Sequence, residues 1–125
     1  MISRVVVNHE ERNYFGDYNE IRTDRMSNIT DEKIAKAINK LVNRFKTKRH
    51  RDTLFVCYDD DTAYRLCYTT VDMESYEHPT FGTMYRGGRD ALMLRHYTHI
   101  SVDSWDTDEE VTAAQAKRRI LGGEK

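Results

Sequence analysis

The segment between Thr30 and Arg51 (TDEKIAKAINKLVNRFKTKRHR) constrains the fold most, because its apolar residues recur at the spacing of one α-helical face. Thr30 suits the N-terminal cap, since its hydroxyl can accept a hydrogen bond from a free N–H of the first turn. Acidic residues follow directly, where the helix dipole favours them. The segment therefore predicts an amphipathic helix. Its apolar face is expected to belong to the core and comprises Ile34, Ala37, Ile38, Leu41, Val42 and Phe45.

The other side of this predicted helix is strongly basic. Residues 31–51 contain eight Lys or Arg and two acidic residues, whereas the whole chain has a net charge of −1. Basic residues spaced four apart align on one face of a helix. The predicted stripe comprises Lys36, Lys40, Arg44 and Lys48, and it continues into Arg49 and Arg51. Two interpretations stay open: a solvated helix face, and a binding site for phosphates or an acidic protein surface.

Residues 53–70 (TLFVCYDDDTAYRLCYTT) favour two strands joined by an acidic turn at 59–61. We predict a register in which Tyr58 pairs with Tyr64, because one side of the hairpin then becomes continuously apolar and aromatic. In this register the two cysteines are diagonal and not opposite. This geometry and a reducing compartment both argue against a disulfide.

Three further strands are predicted from β-branched and alternating patterns. They cover Ile2–Asn8, with both faces buried, Tyr18–Thr23, and Leu94–Val102, where a helix beginning at Ala91 is the alternative. Residues 71–84 have no clear period and contain the only proline, so they predict an irregular surface connection.

A second helix is predicted from Asp106 to Leu121, because Thr107 and Glu110 have capping-box spacing and a pair of glycines follows at 122–123. The order of elements indicates an α+β fold: a mainly antiparallel sheet of about four or five strands, one central amphipathic helix and one C-terminal helix. With 125 residues, the chain is expected to form a single domain over 1–125.

The segment Tyr85-Arg86-Gly87-Gly88-Arg89 predicts a tight glycine loop between two arginines. Glycines let backbone N–H groups approach an anion closely, and arginines bind phosphate oxygens in pairs. Tyr85 is suited to stack on a base or a sugar. A plain turn with solvated arginines, and a contact with another protein, are the alternatives.

Candidate catalytic and metal-binding patterns are weak. His96 with Thr98, and His99 with Ser101, have the H-x-T and H-x-S spacing of two-histidine phosphoesterases, but those enzymes need two separate tetrads and these overlap. On a strand the two histidines face opposite sides. No spacing typical of zinc, nucleophilic-serine or phosphate-loop sites is found in the sequence. The sequence predicts no enzyme, no cofactor and no metal site, with a phosphoesterase using His96 and His99 as the least favoured alternative.

The sequence contains no apolar run long enough to span a membrane and no signal peptide, so we expect a cytoplasmic protein, in the host cytoplasm if the source is viral. The leading hypothesis is a small non-catalytic binding protein that engages nucleic acid, a nucleotide or an acidic protein surface through the basic stripe and the glycine loop. Accessory proteins of phages and mobile elements commonly have this profile, which is an argument from analogy.

Two further expectations concern protein partners. The acidic segments at 59–61 and 103–110 suggest an alternative function, an inhibitor of a host nucleic-acid or defence enzyme that mimics phosphates. The basic helix of one copy and the acidic turn of another also predict self-association into a symmetric oligomer.

Overall fold

The computed structural model describes residues 1–122, which form an α+β fold with a six-stranded antiparallel sheet and two α-helices. The strands are β1 (Ile2–Arg12), β2 (Tyr18–Arg25), β3 (His50–Tyr58), β4 (Ala63–His78), β5 (Gly82–His99) and β6 (Ser104–Glu110). The helices are α1 (Asp31–Phe45) and α2 (Ala113–Leu121), and a single 3-10 turn covers Ile100–Val102. The predicted fold class is confirmed, with one strand more than expected.

The strands lie in the order β2-β1-β3-β4-β5-β6, and every neighbouring pair is antiparallel. All neighbours but one are joined by short turns. The exception is the pair of β1 and β3, because the chain reaches β3 from β2 through α1, which crosses the sheet to the free edge of β1. Helix α1 packs on β3 and contacts α2, so both helices cover the same face.

The main core lies between the helices and this face. Ile34, Ile38, Leu41 and Phe45 are all buried, as the helical spacing predicts. Full burial of one such side chain stabilises the fold by about 1.5–3 kcal/mol. The ring of Phe45 stacks on that of Tyr68 at 4.1 Å between centroids, which ties the end of α1 to β4.

Helix α1 is shorter than the sequence pattern predicts. Thr30 caps it as expected, and its hydroxyl accepts from the Lys33 N–H. The helix ends at Phe45, and Lys48 has a φ of +58°, a left-handed conformation that stops any helix. The basic stripe is therefore interrupted: Lys48 and Arg49 lie in the turn, and Arg51 lies on β3.

The C-terminal helix begins later than predicted. Residues 106–110 form β6 and not the first turns of α2, which is capped by Thr112 and Gln115 with a complete capping box. Both cap candidates have the same spacing, but the strand lets the acidic residues meet arginines of β5, which include Arg95 opposite Asp108. The helix ends as predicted, at Gly122, which has a φ of +111°.

The β3–β4 hairpin forms with a register two residues away from the predicted one. Val56, and not Tyr58, pairs with Tyr64, because the Tyr58 N–H bonds to the Thr62 carbonyl and makes a shorter turn. A shift of two residues keeps every side chain on its predicted face. Cys57 and Cys67 are free, and both are buried.

Residues 70–90 form an arm and not an irregular connection. Beyond the last pairs of β3 and β6, strands β4 and β5 pair only with each other, in one register that runs from Ala63↔Tyr97 to His78↔Gly82. Most side chains of the arm are exposed. The only proline lies in the turn at its tip.

The remaining strand predictions hold in outline. Strand β1 extends to Arg12, beyond its predicted end at Asn8, and β2 matches its predicted start at Tyr18. Of the three valines in β1, only Val5 is fully buried. The third predicted strand is the second half of β5, and it ends at His99. Neither α1 nor α2 is long and apolar enough to cross a membrane.

Candidate functional site

Lys36 and Lys40 are the predicted site residues that the fold leaves most available. Both lie on the outer side of α1, one helical turn apart, and both are exposed. Lys46 and Arg49 are exposed around the end of the same helix. Within residues 1–122, none of these four cations forms an ion pair with a carboxylate. We call Lys36, Lys40, Lys46 and Arg49 the basic surface.

Arg44, predicted to belong to the stripe, turns inward instead. Its Nε atom lies 3.0 Å from Oδ2 of Asp52, which is only 2% exposed, although the N–H is not aligned with that oxygen. The other oxygen of Asp52 lies 3.0 Å from Nδ1 of His9, whose Nε2 lies 2.9 Å from Asp24. Arg44 therefore belongs to a charged network between α1 and the sheet, and it is not free to bind a partner.

Lys48 and Arg51 also have intramolecular partners. Lys48 approaches Asp90 at the base of the arm, with 3.5 Å between its Nζ atom and a carboxylate oxygen. Arg51 projects from the sheet face opposite the helices, binds both oxygens of Glu10, and lies over the Tyr18 ring at 4.3 Å. The hydrogen bond to Glu10 raises the pKa of Arg51. The predicted basic stripe is thus divided between two faces of the protein.

The predicted glycine loop is wrong in its local structure, because Tyr85, Arg86, Gly87, Gly88 and Arg89 all lie within β5. The guanidinium of Arg86 lies over the Tyr76 ring at 4.7 Å. Tyr85 is exposed, and it lies on the other face of the arm from Arg86, since adjacent residues of a strand point to opposite sides.

Arg89 is neutralised inside the molecule. It binds Asp72 through Nε and both oxygens of Glu110 through its two terminal nitrogens. These hydrogen bonds, led by those to Glu110, raise the pKa of Arg89 further above its usual value. The two arginines therefore do not converge on one anion.

The two glycines serve the backbone geometry of the arm. Gly87 and Gly88 have φ values of +74° and +88°, opposite Asp72 at +58°, so both strands leave the extended conformation at the same level. A Cβ atom on Gly88 would lie 2.9 Å from the Val71 carbonyl oxygen. Glycine is required there by close packing of the two strands and by its φ angle.

The acidic segments also have internal partners. In the turn, Asp59 meets the N-terminal amine, Asp60 accepts from Thr62, and Asp61 accepts from Ser101. In β6, carboxylates bind side chains of β5 and α2, in the pairs Asp106–His96, Asp108–Arg95, Glu109–Arg119 and Glu110–Arg89. These acids are paired because they lie on β6, a strand that the sequence analysis did not predict.

His96 and His99 point to opposite sides of β5, as expected on a strand, so they do not form a joint site. His96 lies on the helix-covered face, with Nδ1 2.9 Å from Oδ1 of Asp106 and its ring 4.9 Å from that of Tyr64. It lines a cleft of about 660 Å³ beside the end of α2. In the described part of the chain, no three His, Cys, Asp or Glu side chains are grouped to hold a metal ion.

A second surface escaped sequence reasoning: the sheet face without helices. Phe55, Cys57, Ala63, Tyr97 and Ile100 form a small apolar cluster there. Three arginines border it. Arg4 and Arg65 approach the sulfur atoms of Cys57 and Cys67, and Arg95 lies 4.2 Å over the Trp105 ring. The sequence of one strand does not show which residues of other strands lie beside it, because the order of the strands in the sheet decides this.

No known protein family, curated protein or solved structure matches the chain.

Proposed function

We propose that the protein is a non-catalytic binding protein that engages the phosphate backbone of a nucleic acid through the basic surface. The observation that supports this most is the contrast among its cations. Arg44, Lys48, Arg51 and Arg89 are neutralised by carboxylates, whereas Lys36, Lys40, Lys46 and Arg49 are exposed and without a carboxylate partner in residues 1–122. Such cations are available to an external anion without breaking an internal ion pair.

The shape of this surface favours an extended polyanion over a nucleotide. Lys36 and Lys40 lie on the convex side of α1, about 6 Å apart along the helix axis. Small ligands bind in concave sites that cover most of their surface, whereas a row of spaced lysines on a convex surface can follow successive phosphates. With a net charge of −1, the chain as a whole does not attract nucleic acid, so binding has to be local.

The test is fluorescence anisotropy with labelled duplex DNA, single-stranded DNA and RNA over a range of salt concentrations. Each neutralised phosphate of a duplex contributes about −0.9 to the log–log salt slope, so four contacts predict a slope of about −3 to −4. The Lys40→Glu variant should bind about tenfold more weakly, since one contact is replaced by repulsion. Lys117→Glu on α2 is the matched control, with the same charge change away from the basic surface.

Two results would refute the proposal. One is the absence of saturable, salt-dependent binding to all three nucleic acids. The other is an equal loss of affinity in the Lys40→Glu and Lys117→Glu variants, because it would mean that only the total charge matters.

A second candidate function is self-association through the arm. A two-stranded ribbon without a core is marginally stable by itself, and this one exposes Met73, Phe81, Met84 and Tyr85. Residues 70–90 include four acidic and two basic residues, so the arm has a net negative charge. It is therefore complementary in charge to the basic surface of a second copy. Opposite charge and exposed apolar side chains both favour another copy of this chain as the partner.

Light scattering after size-exclusion chromatography, at low and high salt, tests this candidate. We expect an oligomer that dissociates in the Phe81→Ser, Tyr85→Ser double variant, while nucleic-acid binding by the basic surface persists. A monomer at every concentration and salt level would eliminate the arm as a self-association surface.

A further inference from the structure

The cleft that contains His96 has a volume of about 660 Å³, and its lining includes no residue of the basic surface or the arm. Cavities of about 300–1,000 Å³ are typical of small-molecule sites. Its walls come from the start of β1, both strands and the turn of the β3–β4 hairpin, β5, β6 and the end of α2, so segments far apart in the sequence converge on it.

The walls are largely aromatic and apolar. Tyr58 and Tyr64 lie edge to face at 6.0 Å between centroids, and Ile2, Ile120 and Leu121 complete the apolar lining. The Tyr58 hydroxyl donates to the Ile120 carbonyl at 2.6 Å, which holds the end of α2 against the sheet. A ligand of this cleft therefore needs an apolar body, and an aromatic ring matches the two tyrosines best.

The cations at this cleft are already neutralised. Arg119 binds Glu109, and the N-terminal amine of Met1 lies 3.3 Å from Asp59. A phosphate or carboxylate ligand would have to break one of these pairs to find a positive charge. The cleft is thus poorly suited to the anions that the basic surface attracts.

Two carboxylate oxygens at this cleft are left without a hydrogen-bond donor in the described residues. Oδ1 of Asp60 is used by Thr62, and Oδ1 of Asp106 is used by His96 and Thr107, while Oδ2 of each aspartate has no hydrogen-bond partner in residues 1–122. Hydrogen bonds, from Thr62 to Asp60 and from His96 to Asp106, lower the pKa of both aspartates, so both are ionised at neutral pH. An ionised carboxylate can only accept.

From these observations we propose that the cleft binds a small organic amine: an ammonium group directed at the free oxygens of Asp60 and Asp106, on an apolar, aromatic body held against Tyr58 and Tyr64. The ammonium group donates to these two free oxygens and balances the charge of the two carboxylates. The tyrosine rings add a cation–π attraction. This site is independent of the proposed nucleic-acid binding, since it selects the opposite charge on a different surface.

Amide chemical-shift perturbation tests the site with three probes of nearly the same shape: 2-phenylethylamine, 2-phenylethanol and phenylacetate. We expect saturable shifts at residues of the cleft with the amine, at least tenfold weaker binding of the alcohol, and no saturation with the carboxylate. Equal binding of the three probes, or no saturable shift with the amine, would overturn the proposal.

Substitutions of the two aspartates test whether their carboxylates bind the ammonium group. Asp106→Asn and Asp60→Asn should each weaken amine binding about tenfold, because each removes one charge-assisted contact. Asp17→Asn, in the exposed β1–β2 turn, is the matched control and should leave it unchanged. Since Asp106 also orients His96, the spectrum of each variant establishes that the fold is intact, and Asp60→Asn provides the second, independent result. Unchanged affinity in both cleft variants would refute the role of the carboxylates.

Discussion

Replacing Asp52 by asparagine tests the buried network that removes Arg44 from the basic surface. The side chain of Asp52 is 2% exposed, and its two oxygens face His9 and Arg44, each at 3.0 Å. Asparagine has nearly the same shape, so the variant removes the charge without leaving a cavity. We expect the free energy of unfolding to fall, because Arg44 loses its counter-charge and His9 loses one of its two carboxylate partners in a region of low dielectric.

The magnitude follows from the surroundings of each partner. Removing one member of a fully buried ion pair destabilises a protein by about 3–5 kcal/mol, because the other charge is left unpaired. Here Arg44 is 29% exposed and can turn to water, and His9 keeps Asp24 on its other nitrogen. The expected loss for Asp52→Asn is therefore smaller, about 2–3 kcal/mol.

Urea unfolding of the wild type, Asp52→Asn and Asp24→Asn measures this difference. Asp24 binds the same histidine but is 49% exposed, so solvent screens its contribution to below about 1 kcal/mol. High salt should reduce the effect of Asp24→Asn and leave that of Asp52→Asn nearly unchanged, since buried pairs are screened less. Similar losses in the two variants, or a loss below about 0.5 kcal/mol for Asp52→Asn, would refute the reasoning.

Three further predictions concern the arm, the cleft and α1. Gly88→Ala should speed hydrogen exchange in the arm more than Gly87→Ala does. Both glycines have a positive φ, but only a Cβ atom at Gly88 would meet a backbone oxygen, at 2.9 Å. Equal exchange rates in the two variants would contradict this. Burial, together with the nearby charges of Tyr64 and Asp60, raises the pKa of Tyr58 from 10.0 to about 12. The neutral form of Tyr58 therefore stabilises the fold fully below about pH 10, and this contribution is lost as the pH rises through about 12. Spectrophotometric titration should therefore show a late tyrosine ionisation that Tyr58→Phe lacks, and an unchanged titration curve would count against it. Thr30→Ala removes the cap on the Lys33 N–H and should cost about 1 kcal/mol in urea unfolding, whereas no measurable loss would mean that water replaces the cap.

Local patterns in the sequence were sufficient to predict the elements that depend on near neighbours. The buried face of α1 follows from the spacing of Ile34, Ile38 and Leu41, because side chains three and four residues apart share a helical face whatever the rest of the chain does. The N-cap at Thr30 is local for the same reason. The faces of the β3–β4 hairpin were predicted correctly even with a register two residues off, since strand alternation has a period of two.

The candidate sites depend on contacts between distant residues, and those could not be predicted. Residues 106–110 resemble the start of a helix, yet they form β6, where their carboxylates meet Arg89, Arg95 and Arg119. The same strand brings Asp106 to His96 and so completes the cleft. The local sequence pattern does not reveal such pairs, because the partners are brought together only by the tertiary structure.

The sequence by itself determined that this chain has a basic helix and an antiparallel sheet, because composition and short-range periodicity carry that information. Only the tertiary structure decided which cations are available. Arg44, Lys48, Arg51 and Arg89 are neutralised by carboxylates of other elements, as in the pair of Arg89 on β5 with Asp72 on β4. Lys36, Lys40, Lys46 and Arg49 remain exposed. The physical reason is that a charge is free or paired according to its neighbours in space, which the fold selects and the local sequence does not.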